Sequence, residues 1–347
     1  MKRVKTCLVT FAVIQILSTM GLYGQEAVTF VQKAGEHKVD VMIGGKFFTS
    51  YLYPNTIEKP VLFPLQTASG VLVSRGFPLN PRPNERTDHP HHIGIWFNYG
   101  DVNGLDFWNN SYAIPESAKS KYGSIKHQKV VKVEDGKNSG KLTVTANWVD
   151  IKGKVLMKEQ TTFIFSGDAH HRVIDRIATL TAQQEKVNMK DNKEGLLGIR
   201  VTRELEIPAD KPEIFTDAQG NPTKVAVLNN EGVTGNFLTS NGKTGNDVWG
   251  TRGKWCLMYG KKNNEPVSIA IIDHPGNAGY PTYWHARGYG LFAANNLGQE
   301  ALSGGKEKLN FSVEPGKSVT FRYRVVITNG STPTSAELDK MAVDFSK

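Results

Sequence analysis

The sequence predicts an all-β fold of antiparallel strands, a sandwich or a barrel. Three observations predict it: apolar and polar residues alternate over short runs, turn residues separate the runs, and the runs recur at spacings of about 8–12 residues. The clearest alternation lies in residues 141–148, 161–165, 172–177 and 319–325. Period-two patterning puts successive side chains on opposite faces, as a half-buried strand requires. Asp135-Gly136, Ser139-Gly140, Ser166-Gly167-Asp168, Asn241-Gly242 and Pro315-Gly316 supply the turns. Only the C-terminus reads as helix. There Thr334 and Glu337 make a capping-box pattern, and Leu338, Met341, Ala342 and Phe345 follow at helical spacing.

The 347 residues are 39% hydrophobic and 22% charged, a globular composition that excludes wholesale disorder and collagen-like repeats. No internal repeat or low-complexity linker divides them, so residues 25–347 are expected to form a single β-sandwich domain. Residues 1–24 have the layout of a signal peptide: Lys2, Arg3 and Lys5, an apolar run over 7–22, and a cleavage point after Gly24. This places the mature protein in the periplasm or outside the cell. A membrane anchor needs ~20 apolar residues, and Gln15 and Ser18 interrupt this run. Cys7 stands at the start of the run, where it does not serve lipidation. Processing leaves Cys256 alone, so no internal disulfide forms, and its neighbours Trp255, Leu257 and Met258 mark it as core. No other segment approaches transmembrane length, so no stable span is expected after processing. Residues 1–24 carry three of the +9 net charges, and the remaining +6 is spread along the chain. No basic stripe interleaves with aromatics, which argues against a nucleic-acid partner.

Chemistry concentrates where the histidines do. Three of the nine fall in Asp88-His89-Pro90-His91-His92, and two more, His274 and His285, lie in residues 273–287. Read as a strand, residues 92–98 put Ile93, Ile95 and Phe97 on a core face, and His92, Gly94, Trp96 and Asn98 on the other. A titratable group, an indole platform and an amide on one face suit a sugar site. Residues 194–200 repeat the logic: Leu197 and Ile199 face the core, while Glu194, Gly198 and Arg200 share the opposite face. A Glu–His pair across a sugar can act as general base and acid. Asp88, His89 and His91 also offer donors for a divalent metal, with His89 and His91 in a His-x-His spacing.

The run over residues 82–97, with its centre Asp88-His89-Pro90-His91-His92, and its continuation to Gly104-Leu105-Asp106-Phe107-Trp108 resemble the signature of the methane oxygenase PmoA-like family. So do Lys193-Glu194-Gly195, Asp273-His274-Pro275-Gly276-Asn277 and Pro281-Thr282-Tyr283-Trp284-His285. The resemblance covers roughly residues 45–330. Its name suggests a copper membrane oxygenase, yet the chain lacks the several spans such a subunit needs. The resemblance implies an exported bacterial protein with an architecture similar to the galactose-mutarotase supersandwich. Enzymes on that scaffold include aldose epimerases, glycoside hydrolases and polysaccharide lyases, which use His with Glu or Asp.

The expectation is therefore an antiparallel β-supersandwich, galactose-mutarotase-like, with a short C-terminal helix. It would bind a carbohydrate or glycoside and act on it by acid/base chemistry, by hydrolysis, elimination or epimerisation. His92, His285 and Glu194 are the expected catalytic groups. Arg86, Arg200, Arg287, Asn98 and His274 would bind substrate, with Trp96, Trp108 and Trp284 as sugar platforms. No cofactor is assigned, and a divalent metal at Asp88, His89 and His91 is left open. The rival functions are a non-catalytic carbohydrate-binding protein and a metal-dependent oxygenase or isomerase using the His cluster. Oligomeric state is not legible.

Overall fold

The computed structural model describes residues 24–347; the expected signal peptide over 1–24 and Cys7 lie almost wholly outside them. The architecture is all-β, with two eight-stranded antiparallel sheets packed face to face. Across the first sheet run the strands Val28–Lys33, Lys38–Ile43, Lys46–Leu52, Val61–Leu62, Ile95–Tyr99, Gly195–Arg200, Leu291–Asn295 and Tyr283–Arg287. The second sheet runs Asn236–Thr239, Trp255–Lys262, Glu265–Asp273, Ser318–Asn329, His171–Ala182, Val155–Gly167, Gly140–Val149 and Ser124–Glu134. All four alternating runs of the sequence fall inside strands of this second sheet. In Gly140–Val149, Leu142, Val144, Ala146 and Trp148 are buried and their neighbours more exposed, the pattern of a strand with one face on the core.

Between the sheets lies one apolar cluster. The first sheet contributes Ile95, Phe97, Leu197, Ile199 and Phe292, and the second Trp148, Phe163, Phe321 and Val325. Phe97 meets the edge of Trp148 with ring centroids 6.3 Å apart. Cys256 is fully buried there, as expected. The outer face of the second sheet is covered by the C-terminal helix, Ser335–Phe345, whose capping box at Thr334 and Glu337 forms as predicted. Leu338 packs there with Trp255, Leu257 and Ile272. No described helix is long and apolar enough to cross a membrane.

The outer face of the first sheet positions the site. Its central strands Ile95–Tyr99 and Gly195–Arg200 are buried on both faces, because connecting segments fold back over them. Ile57, Phe63 and Trp108 from those segments close on Trp96, Leu291 and Ala293. Pairing aligns Trp96 with Gly198, Gly198 with Ala293, and Ala293 with His285 in one row across four strands. The two small residues leave the space the indoles occupy. A Cβ on Gly198 would sit 2.5 Å from Trp96 and 3.0 Å from Trp108. Gly94 is equally constrained, since its φ is +53° and a Cβ there would meet the Leu62 carbonyl oxygen at 2.0 Å. Gly198→Ala should therefore destabilise the protein by about 1–3 kcal/mol through overpacking. Chemical denaturation of the variant measures this, and an unchanged midpoint would show that the indoles have slack.

Candidate functional site

The segment 86–92 belongs to no strand of the first sheet; beyond a single bridge between Arg86 and Phe215, side chains hold much of its shape. Arg75, 1% exposed, supplies much of it. One of its nitrogens donates to the carbonyls of Arg86 (3.2 Å) and Asp88 (2.8 Å), the other to those of His89 (2.9 Å) and His92 (3.2 Å). The Asp88 carboxylate takes both forks of Arg200, at 2.7 and 3.1 Å, and Arg75 at 3.1 Å. Its remaining capacity accepts from His89 Nδ1. Burial alone would push the Asp88 carboxyl up, but Arg200, the His89 bond and Arg75 outweigh it and hold it well below the usual carboxylate range. Arg200 also reaches His92 Nδ1 at 3.3 Å. His89 is fixed in the left-handed region, at φ +46°, a conformation that persists only where the surroundings determine it.

From this node a stack of rings descends to the sheet. Tyr289 lies against His89 (5.0 Å between centroids), His89 against His92 (4.8 Å) and His92 against Trp96 (5.0 Å), with interplanar angles of 7°, 3° and 13°. Trp108 stands edge-on to Trp96 at 5.1 Å and faces His285 at 6.3 Å. Glu194 Oε2 lies 3.5 Å from His285 Nδ1, and its other oxygen meets Lys193. The structure thus brings together His92, Trp96, Trp108, Glu194, Arg200 and His285.

Burial changes what these groups can do. His92 is 1% exposed and His285 2%, and burial, reinforced by nearby cations, pushes His91 down to about 2, His285 to about 3 and His92 well below the ordinary imidazole value. Only His89 of the cluster is open to solvent. It lines a cavity of about 580 Å³ with Arg86, Lys193, Glu213, Arg287 and Tyr289. Arg86 is braced there by Glu206 (2.7 Å) and Glu213 (2.8 Å), and Arg287 lies over the Trp249 ring at 4.6 Å.

Several expectations need correction. Trp96 and Trp108 have no exposed surface, so they form the floor beneath the histidines rather than open sugar platforms. Trp284 points the other way, into the core between the sheets, where it packs on Phe292; one step of register separates it from His285 on the outer face. His274 sits at the end of a second-sheet strand against Phe345 of the C-terminal helix, away from the cluster. Asn98 is buried and donates its amide to the Phe107 carbonyl at 2.6 Å, which pins the Trp108 loop. The proposed metal set does not converge: the Asp88 oxygens are taken by Arg200, Arg75 and His89, and among the described residues no group of three or more His, Cys, Asp or Glu side chains could hold a metal. The sequence reading missed Arg75, Lys193, Glu213 and Tyr289, and took His89 only as a metal ligand. The adjacency of Asp88 and His89 was the available signal for a carboxylate-held imidazole.

The buried histidines are neutral in the fold and take up protons in the unfolded chain below about pH 6.5, so stability falls as pH drops through that value. His91→Asn should flatten the dependence of unfolding free energy on pH by about 1.4 kcal/mol per pH unit between about pH 5.5 and 4. Glu206 and Asp273, both pushed up to about 7 by burial, act in the opposite sense but are common to both proteins. Denaturant titrations across that range measure the difference, and parallel slopes would show that His91 titrates normally.

No curated protein matches the chain. Among solved structures it is similar to the GH36 α-galactosidase AgaB from Geobacillus stearothermophilus, at 10% identity and a TM-score of 0.40, covering 87% of this chain and 41% of that one. It is likewise similar to the α-galactosidase from Lactobacillus brevis, at 7% identity and a TM-score of 0.37, covering 88% and 40%. The chain thus spans about two fifths of the length of these structures. A family model matches residues 38–343, and the chain belongs to that family, DUF6807, a family of unknown function.

Proposed function

We propose that this protein is an exported carbohydrate-active enzyme that binds a sugar in the cavity over the first sheet and acts on it by acid/base chemistry. Export is read from the basic and apolar start of the sequence. One observation carries the rest: His89, alone in its cluster, is open to a polar cavity while its Nδ1 is tied to a carboxylate clamped by two guanidinium groups. An imidazole held this way leaves Nε2 free to exchange a proton with a ligand. Arg86 and Arg287 flank it with donors for hydroxyl groups. Glu194 is the second group, partly exposed and backed by His285 at 3.5 Å. His92 serves beneath His89 as its stacking support, held by Arg200.

Two substitutions test the reading. In a screen of oligosaccharides with product analysis, His89→Ala and Glu194→Gln should each lower turnover by about 10²–10⁴-fold, the usual contribution of a general acid or base, while the thermal midpoint stays within a few degrees. A non-catalytic binding protein would show no turnover in wild type and unchanged affinity in both variants, and that result would overturn the enzymatic reading.

A further inference from the structure

The hairpin that joins Tyr283–Arg287 to Leu291–Asn295 turns through Gly288, Tyr289 and Gly290. Gly290 takes φ +88° and donates its amide to the Arg287 carbonyl at 3.0 Å. It is the left-handed closing residue that a three-residue hairpin loop needs. The turn places Tyr289 in the wall of the cavity that His89 also lines. There its ring lies parallel to His89, within 7° and at 5.0 Å between centroids. The Arg200 guanidinium lies over the same ring at 4.9 Å. Arg200 holds Asp88, and Asp88 holds His89 Nδ1. Tyr289 closes this circuit, because it touches both ends of it.

A hydrogen bond at Nδ1 fixes one point of the imidazole and leaves the ring free to turn about that bond. A flat ring against its face removes the turn. His92 gives His89 another such contact, at 4.8 Å and 3°, but it belongs to the same segment. Tyr289 approaches from a hairpin of the first sheet and so ties the imidazole to that sheet. The ring does this rather than the hydroxyl. Burial pushes the Tyr289 phenol up to about 12, so at neutral pH it is uncharged and no base. Its electron-rich face also favours a cation, which an imidazole becomes when it takes up a proton. We propose that Tyr289 is a positioning residue: its ring, braced by Arg200, fixes the plane of His89 so that Nε2 faces the ligand. The inference rests on the reading of His89 as the proton-exchanging group, and adds a residue that this reading did not use.

The test compares Tyr289→Phe, which keeps the ring, with Tyr289→Leu, which keeps an apolar side chain and removes the flat face. The first readout needs no substrate. Nitrogen-15 NMR of the His89 ring in the full protein, at about pH 8.5 where an imidazole is neutral, reports which nitrogen carries the proton. Wild type and Tyr289→Phe should show the Nδ1-protonated tautomer that the bond to Asp88 imposes. Tyr289→Leu should raise the ratio of the other tautomer to this one by about 2–10-fold, the worth of one aromatic pair. On the oligosaccharide that the wild type turns over fastest, Tyr289→Leu should lower kcat by a similar factor with KM nearly unchanged, and Tyr289→Phe should restore it. An unchanged tautomer ratio in Tyr289→Leu would overturn the inference, whatever that variant loses in stability. So would a Tyr289→Phe as impaired as Tyr289→Leu, which would assign the role to the hydroxyl. Loss of turnover in His89→Ala with one tautomer ratio in all three proteins would leave the acid/base reading standing and remove only this inference. If no oligosaccharide is turned over, the tautomer ratio alone decides whether Tyr289 positions the ring.

Discussion

The Asp88 carboxylate, gripped by Arg200 and Arg75, is the interaction on which the site depends. The segment around it has no ladder of its own, and its carbonyls at 86, 88, 89 and 92 are held instead by one buried guanidinium. Two arginines brought this close and buried this deeply require an anion between them, because unpaired buried charge is far more costly than a surface pair. Asp88 is that anion. By binding Arg200, which rises from the central strand Gly195–Arg200, it ties the histidine segment to a strand of the first sheet that is buried along its whole length.

Held in this way, chemically similar residues take different roles. The stack places His89 at the surface, His92 below it and Trp96 on the sheet, so depth alone decides which imidazole can meet a ligand and which stays neutral. The same segment presents His89 to one cavity and His91 to another. A single short loop thus borders two cavities, with its carbonyls at 86, 88, 89 and 92 bonded to Arg75.

Much of this was legible in the sequence, and the failures have a common cause. Period two told correctly that Trp96 and Gly198 share the outer face, and the capping box located the terminal helix, but the strand begins only at Ile95 and His92 reaches Trp96 by stacking from the segment before it. Alternation reports the face of a strand but not what covers that face. Here Ile57, Phe63 and Trp108 come from connecting segments with no periodic pattern, so the expected platforms Trp96 and Trp108 turned out buried. Trp284 and His285 were read together because they are adjacent, although adjacent strand residues face opposite ways. His274 was drawn in by sequence proximity, yet the chain changes sheets between it and His285. Tyr289 gave no signal at all, since a single tyrosine between two glycines reads as a turn until the fold lays it against His89.

The most direct test of the role given to Asp88 is the stability of Asp88→Asn at pH 7, measured by denaturant unfolding. The substitution keeps the shape and leaves Arg200 and Arg75 facing a neutral amide. The predicted result is a loss of about 2–4 kcal/mol, as expected when one partner of a largely buried ion pair is removed. A loss below about 0.5 kcal/mol, the range of ordinary surface substitutions, would contradict it, because the histidine segment would then be held by something other than this carboxylate.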